Sequence, residues 1–263
     1  MSDLLAQRSG AVVTLTIHRP AALNALTGAL LADLRRAVEE AADDRTVRAV
    51  VITGSGEKAF SAGADLNEIS VLGSDLDKAR EVMAAGQAAL RAIERAPVPV
   101  IAAVNGLALG GGFELVLAST FAVLSTRASL GLPEAALGLI PGYGGTQRLP
   151  RAVGHRVAAH LMLTGARLSA DRAYELGVTP VPPVAPEELL PTATSIAETI
   201  AARGPLAVRA ILHAAEAARD APLEEGLTTE TELAARAIAS PESTEGVAAF
   251  TERRPPVFPN PED

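Results

Sequence analysis

From Leu4 to Gly177, short runs of β-branched and apolar residues alternate with amphipathic helical stretches, and this alternation limits the fold more than any other feature of the chain. Leu4 to Gln7 and Ala11 to His18 flank the turn signal Arg8-Ser9-Gly10, and the second run alternates Val13, Leu15 and Ile17 with Thr14 and Thr16, which predicts a hairpin. Thr27 is placed to cap a helix whose Leu30, Leu31, Leu34, Val38 and Ala41 follow the 3.6-residue period. A strand at Val47–Thr53, an amphipathic helix at Leu76–Arg95 and a β-branched run at Val98–Val104 follow. Strands separated by helices make βαβ units with right-handed crossovers, so the expected class is α/β.

After Gly177 the pattern changes. Five prolines fall between Pro180 and Pro191, and beyond them Glu187–Arg203, Pro205–Arg219 and Pro222–Ala239 read as helices with almost no β signal. A boundary near Pro191 is expected, dividing a core domain at 1–191 from a helical region at 192–263. Apolar stripes on helices without a sheet to cover must be buried against each other, the first domain or another subunit. The 263 residues suffice for one large domain or a domain with an appendage, at about 150 residues per domain. With five Phe, two Tyr and no Trp, the interior has to be filled by Ala, Val and Leu.

Charge and composition exclude several function classes. A net charge of −8 leaves no broad basic field for nucleic acid or an anionic membrane, although local cationic spots can still hold an anionic ligand. The absence of Cys removes disulfides, thiolate nucleophiles and Cys-ligated metals. His155 and His160 fall on different sides of a helix, and His18 and His213 have no ligand partner at suitable spacing, so no metal site is expected. Met1 to Arg8 lacks the basic start and apolar stretch of a signal peptide, and the most apolar region, Pro97–Ala118, is broken by Pro99, Asn105, a glycine cluster and Glu114. The expectation is a cytoplasmic protein.

Two glycine signals compete for a ligand. Gly54-Ser-Gly56-Glu-Lys-Ala59 matches a dinucleotide fingerprint formally, but Phe60-Ser-Ala-Gly63 sets a second breaker where the fingerprint needs a helix. Gly110-Gly111-Gly112 is more informative, because it opens the apolar helical run Phe113–Ala118. Glycine there admits a ligand to the unpaired N–H groups of the first turn; close packing of helix on sheet would select the same residues. Glu114 lies one turn on, with Gly110, Gly111, Leu117 and Ala118 at helical spacing, so its face is otherwise glycine and hydrocarbon. Glu134 repeats the situation: Pro133 suits a first helical position, and Leu130, Gly131, Leu137 and Gly138 surround the acid. Two acids in apolar settings suggest a general acid and base; two independent capping or ion-paired carboxylates would give the same pattern.

These residues resemble the crotonase, or enoyl-CoA hydratase/isomerase, superfamily over nearly the whole chain. The resemblance is carried by His18-Arg-Pro-Ala-Ala-Leu-Asn-Ala-Leu26, Ala59-Phe-Ser-Ala-Gly-Ala-Asp-Leu66, Asn105-Gly-Leu-Ala-Leu-Gly-Gly-Gly-Phe-Glu-Leu115, Leu132-Pro-Glu134, Leu137–Leu149 and Glu245–Pro255. It implies a spiral of ββα units followed by a helical trimerisation region, assembled as a homotrimer or homohexamer. It implies an oxyanion hole from the N–H groups of Ala64 and Gly111, with Glu114 and Glu134 as the catalytic pair of a hydratase. Arg19, Ala22, Lys58, Ala62, Asp65, Leu66, Arg253 and Arg254 become candidate substrate contacts by motif position, the cations for coenzyme A phosphates. Coenzyme A is then part of the substrate, and no separate cofactor is expected. The helix at Leu76–Arg95 is expected to line the acyl pocket. The chain departs from the pattern at Leu132, where hydratases often carry Gln, at Asn67, where they often carry Lys, and at Arg253-Arg254, often Lys-Arg. An isomerase using Glu134 alone, and a noncatalytic oligomeric or RNA-binding relative, are the alternative functions.

Overall fold

The computed structural model describes residues 2–260. Strands β1 (Leu4–Ser9) and β2 (Val12–Ile17) form the expected antiparallel hairpin. Helix α1 (Gly28–Asp43) is capped by Thr27, whose hydroxyl accepts from the Leu30 N–H at 3.1 Å, and it buries Leu30, Leu31, Leu34, Val38 and Ala41. Then come β3 (Ala49–Gly54), β4 (Ala59–Ser61), the short α2 (Leu66–Ser70) and α3 (Leu76–Glu94). The pair β5 (Val100–Val104) and β6 (Leu107–Leu109) leads into α4 (Gly111–Ala118), and β7 (Phe121–Leu124) and β8 (Ser129–Gly131) lead into a 3-10 turn at Glu134–Leu137. Helices α5 (Gly145–Val153) and α6 (His155–Thr164), strand β9 (Leu168–Ser169) and α7 (Ala170–Glu175) follow. The chain then continues as α8 (Leu189–Ala201), α9 (Pro205–Asp220), α10 (Leu223–Ile238) and α11 (Pro241–Glu252).

The strands build two sheets, in the orders β1-β2-β3-β5-β7 and β4-β6-β8-β9. Each successive pair, β3 with β4, β5 with β6 and β7 with β8, gives its first strand to one sheet and its second to the other. Within each sheet these strands run parallel to one another, which is the ββα spiral, and β9 joins β8 antiparallel at the edge. The register Ser61↔Ala108 and Leu109↔Gly131 brings the loops that leave β4, β6 and β8 side by side at one end of the smaller sheet. Parallel sheets covered on both faces read as continuous apolar runs, and β3 divides accordingly. Val50 and Ile52 join the main core with Leu34, Phe60, Leu90 and Phe113, while Ala49 and Val51 point the other way.

That second face corrects the expectation for the chain end. Leu189, Ala193 and Ala197 of α8 pack on Val12, Ala49, Val51, Ile101, Ala103 and Val123. So α8 does have a sheet to cover, and Pro191 falls inside a helix that belongs to the core packing. The unsatisfied stripes are those of α9 to α11, where Ile211, Leu223, Ile238, Val247 and Phe250 are exposed. Helix α11 was not expected, although Ser240 caps it and Pro241 opens it. A second correction concerns Glu134: residues 129–131 are strand β8, and Pro133 precedes the 3-10 turn instead of opening a longer helix. A residue before proline is disfavoured in the α region, so no helix can run back through Leu132. No helix among the described residues is long and apolar enough to cross a membrane.

Because α8 seals one whole face of the larger sheet, a charge at its centre should be costly. Ala193→Asp places an unpaired carboxylate on a fully buried surface and is expected to lower stability by about 3 kcal/mol or more, whereas Ser195→Asp on the outer side of α8 should stay within about 0.5 kcal/mol. Urea unfolding of the two variants checks this.

Candidate active site

Helix α4 is buried along Gly111–Val116 and at Ala118. The three glycines before and within its first turn serve three different needs. A Cβ on Gly112 would stand 2.3 Å from the Ser61 carbonyl oxygen, so this glycine seats the helix on β4. A Cβ on Gly110, which has φ of 49°, would meet Glu134 Oε1 at 2.9 Å. On Gly111 it would meet the Tyr143 ring at 3.0 Å and the Ala64 N at 3.4 Å. Close packing and access for a ligand thus both operate, at neighbouring residues.

The Ala64 and Gly111 amides open into the same space. Leu26 donates to the Gly63 carbonyl and accepts from the Asp65 N–H, a parallel bridge that turns the Ala64 N–H away from Leu26. Gly111 is the first residue of α4, so its N–H has no intrahelical acceptor. The space is a cavity of about 490 Å³. The loops after β4 and β6 supply Ala62, Gly63, Ala64, Gly110 and Gly111 to its wall, and the loop after β8 supplies Pro133 and Glu134. Ala79, Met83 and Gln87, spaced four residues apart along α3, also line the cavity.

Both glutamates face this cavity. Glu114 is 1% exposed, and its Oε1 accepts from the Tyr143 N–H at 2.8 Å and the Gly145 N–H at 2.7 Å. Burial pushes its carboxyl up, the two N–H donors oppose that, and the nearby Glu134 adds to the rise, leaving it at about 7. Glu134 is half-buried, and its Oε2 is enclosed without a hydrogen-bond partner. Burial raises its carboxyl too. Neither acid is ion-paired among the described residues, and Glu114 meets the first N–H of α5 through Gly145, so it caps that helix while facing the cavity. Leu132, at the position where Gln was noted as common, is wholly buried and leaves Glu134 without a side-chain amide from that residue.

The other candidate residues divide. Ala62 and Leu66 line the cavity. Ala62 donates its N–H to the Leu23 carbonyl at 2.9 Å, which ties the Pro20–Ala22 turn to the loop after β4; Ala22 itself is exposed. Arg19, expected at coenzyme A phosphates, instead grips Asp65: its Nη1 and Nη2 each lie 3.0 Å from Asp65 Oδ2, and Nη1 also reaches the Ala25 carbonyl at 2.6 Å. Asp65 in turn caps α2 through the Asn67 N–H. Arg19 therefore shapes the loop that carries Ala64. Lys58 is exposed on the loop between β3 and β4. Arg253 and Arg254 follow α11 and do not line the cavity, and Arg254 is held by Glu245 and Glu252. Tyr143 and Gln87 were not singled out from sequence. A tyrosine within a glycine-rich loop, Gly142-Tyr143-Gly144, was the available signal for the first.

The chain matches the model of the family described as enoyl-CoA hydratase/isomerase over residues 7–261. It is 40% identical over 252 residues to a crotonyl-CoA hydratase of Syntrophomonas wolfei, covering 96% of each chain. It is also 40% identical to a 2,3-dehydroadipyl-CoA hydratase of Escherichia coli, covering 98% of this chain and 99% of the relative. Among solved structures, an enoyl-CoA hydratase from Bacillus anthracis superposes with a TM-score of 0.94 at 38% identity, over 99% of this chain and 100% of that one. The spiral fold and these matches define a member of the crotonase superfamily. The chain belongs to the enoyl-CoA hydratase/isomerase family.

The raised Glu114 carboxyl has a thermodynamic consequence. Between about pH 4.5 and 7 the folded protein holds a proton there that the unfolded chain has lost, so this group's contribution to stability falls as pH rises, by about 3 kcal/mol in all. Glu114→Gln keeps an oxygen for the Tyr143 and Gly145 N–H groups and removes the titration. Its melting temperature relative to wild type should therefore be higher at pH 8 than at pH 5, as read by calorimetry at both values.

Proposed function

We propose that the protein is an enoyl-CoA hydratase that adds water across the C2=C3 bond of a 2-enoyl-CoA thioester to give the 3-hydroxyacyl-CoA. The observation that carries this reading is that Glu114 and Glu134 face one cavity beside the Ala64 and Gly111 amides. The family and its hydratase relatives support it. In the proposed reaction the thioester oxygen accepts from the two N–H groups, which are fixed where negative charge develops on the enolate. Glu114, whose two N–H donors favour the anion, takes a proton from water as the water oxygen bonds to C3. Glu134, half-buried with its Oε2 enclosed and unpartnered, gives its proton to C2. A base titrating near 7 is matched to neutral conditions.

Coenzyme A enters this scheme as part of the substrate. Lys58 and Arg253 are the cations proposed for its phosphates, while Arg19 acts through Asp65 on the loop that presents Ala64. The exposed stripes of α9 to α11 support assembly into a homotrimer or homohexamer, and the proposed location is the cytoplasm, with no nucleic-acid or membrane partner. Light scattering at micromolar concentration is expected to give a mass of three or six chains; a monomer would contradict the assembly.

The catalytic assignment is tested by Glu114→Gln and Glu134→Gln. General acid–base groups contribute about 10² to 10⁴ in rate, and each variant should lose at least 10² in kcat for crotonyl-CoA hydration while keeping its fold. An isomerase moving one proton between C2 and C4 would need Glu134 alone. Retention of full hydration by folded Glu114→Gln would overturn the two-carboxylate mechanism, and a wild type that hydrates no enoyl-CoA but loses 3-enoyl-CoA isomerisation only in Glu134→Gln would replace the hydratase reading.

A further inference from the structure

Glu94 stands where a carboxylate is least expected. It is the last residue of α3, where the partial negative charge of the helix end repels an acid, and its side chain is only 6% exposed. Three arginines from three helices compensate. Arg148 of α5 makes a two-pronged contact, Nε to Oε1 at 3.0 Å and Nη2 to Oε2 at 2.9 Å. Arg91 Nη1 reaches Oε2 at 2.8 Å, and Arg219 Nη1, from α9, reaches Oε1 at 2.7 Å. Burial would raise the Glu94 carboxyl, yet the bonds from Arg148 and Arg91 hold it at about 2.

The third prong of Arg148 leaves this cluster for the active site. Its Nη1 donates to the Tyr143 carbonyl at 2.9 Å. Gly144, next in the chain, has φ of 113°, and a Cβ there would lie 2.2 Å from the same nitrogen, so the guanidinium rests directly against the backbone of the turn. The N–H groups of Tyr143 and Gly145 on either side are the two that hold Glu114 Oε1. An unbroken series of hydrogen bonds runs from Arg219 of α9 through Glu94 and Arg148 to this turn and on to Glu114.

We propose that Glu94, Arg148 and Arg219 form a positioning brace for Glu114. They fix the direction of the Tyr143 and Gly145 N–H groups, and through Arg219 the seating of α9 becomes part of the integrity of the active site. None of the three touches the reacting atoms. Their effect passes through two N–H···O bonds that share one acceptor, so a single tilt of the turn weakens both, because such bonds fade steeply as they bend. In kinetic terms the brace rests on the hydratase reading, since Glu114 has to exchange a proton with water while its carboxylate stays in place.

The test uses full-length Arg219→Met and Arg219→Lys, with Glu94→Gln and Arg148→Lys beside them. Two quantities are read: kcat and KM for crotonyl-CoA, and amide hydrogen exchange of segment 142–147 by mass spectrometry. Arg219 is the partly exposed end of the series, and its loss leaves the buried Glu94–Arg148 pair in place, so these variants decide the matter even where Glu94→Gln fails to fold. Arg219→Met is expected to lower kcat at least fivefold with KM within twofold and to speed exchange in 142–147. Arg219→Lys should recover at least half of kcat. A folded Arg219→Met with either readout unmoved, or changed only in melting temperature, overturns the brace. If the wild-type protein hydrates no enoyl-CoA, the hydratase reading fails separately, and faster exchange in 142–147 alone supports or, if absent, overturns the brace.

Discussion

Everything about the site follows from the burial of α4. An eight-residue helix enclosed along nearly its whole length cannot be placed by an amphipathic stripe; it has to fit by shape, and Gly112 against Ser61 is where it fits. Enclosure then sets two demands. The first-turn amides need partners other than bulk water, and the cavity in front of Gly111 is where a ligand oxygen can meet one. Glu114, carried into the interior by the same helix, needs donors for its charged form, and only another segment of the chain can bring them.

The turn at 143–145 meets that second demand, and it passes the problem outward. Two N–H groups aimed at one carboxylate oxygen leave the carbonyl of Tyr143 facing away, and Arg148 takes it. A buried arginine needs its own counter-charge, which Glu94 supplies, and Glu94 then has capacity for Arg91 and Arg219. The charged cluster is thus the outer layer of a satisfied network whose inner layer is left titratable. The two acids at the cavity differ in their surroundings: two N–H groups hold Glu114 Oε1, Glu134 Oε2 is enclosed without a partner, and burial raises both carboxyls.

What could be read from the sequence was what has a short period. The hairpin, α1 with its Thr27 cap and five buried apolar residues, and α3 follow from spacing within one element. Glu114 was visible because its helical neighbours are glycine and hydrocarbon, an anomaly that local pattern exposes. Glu94 and Arg148 were invisible, because they are 54 residues apart and each reads singly as an ordinary surface charge. The ion pair of Arg19 was invisible for the same reason: its partner Asp65 is 46 residues away. Helix α8 was assigned to the wrong side of a boundary because an alanine-rich stripe looks the same whether it covers a sheet or another helix.

The spiral explains why so plain a composition can hold such a site. Successive turns of a ββα chain bring equivalent loops to the ends of adjacent parallel strands, about 5 Å apart. The loop after β4 brings Ala64, the loop after β6 brings Gly111 and then Glu114, and the loop after β8 brings Glu134. Side by side, these loops place two amides and two carboxylates around one cavity without long connections or a metal ligand set. The register of three short strands fixes the distances between the loops. The rest of the chain has to hold that frame: α8 covers the larger sheet, and the arginine cluster braces the turn at 143–145.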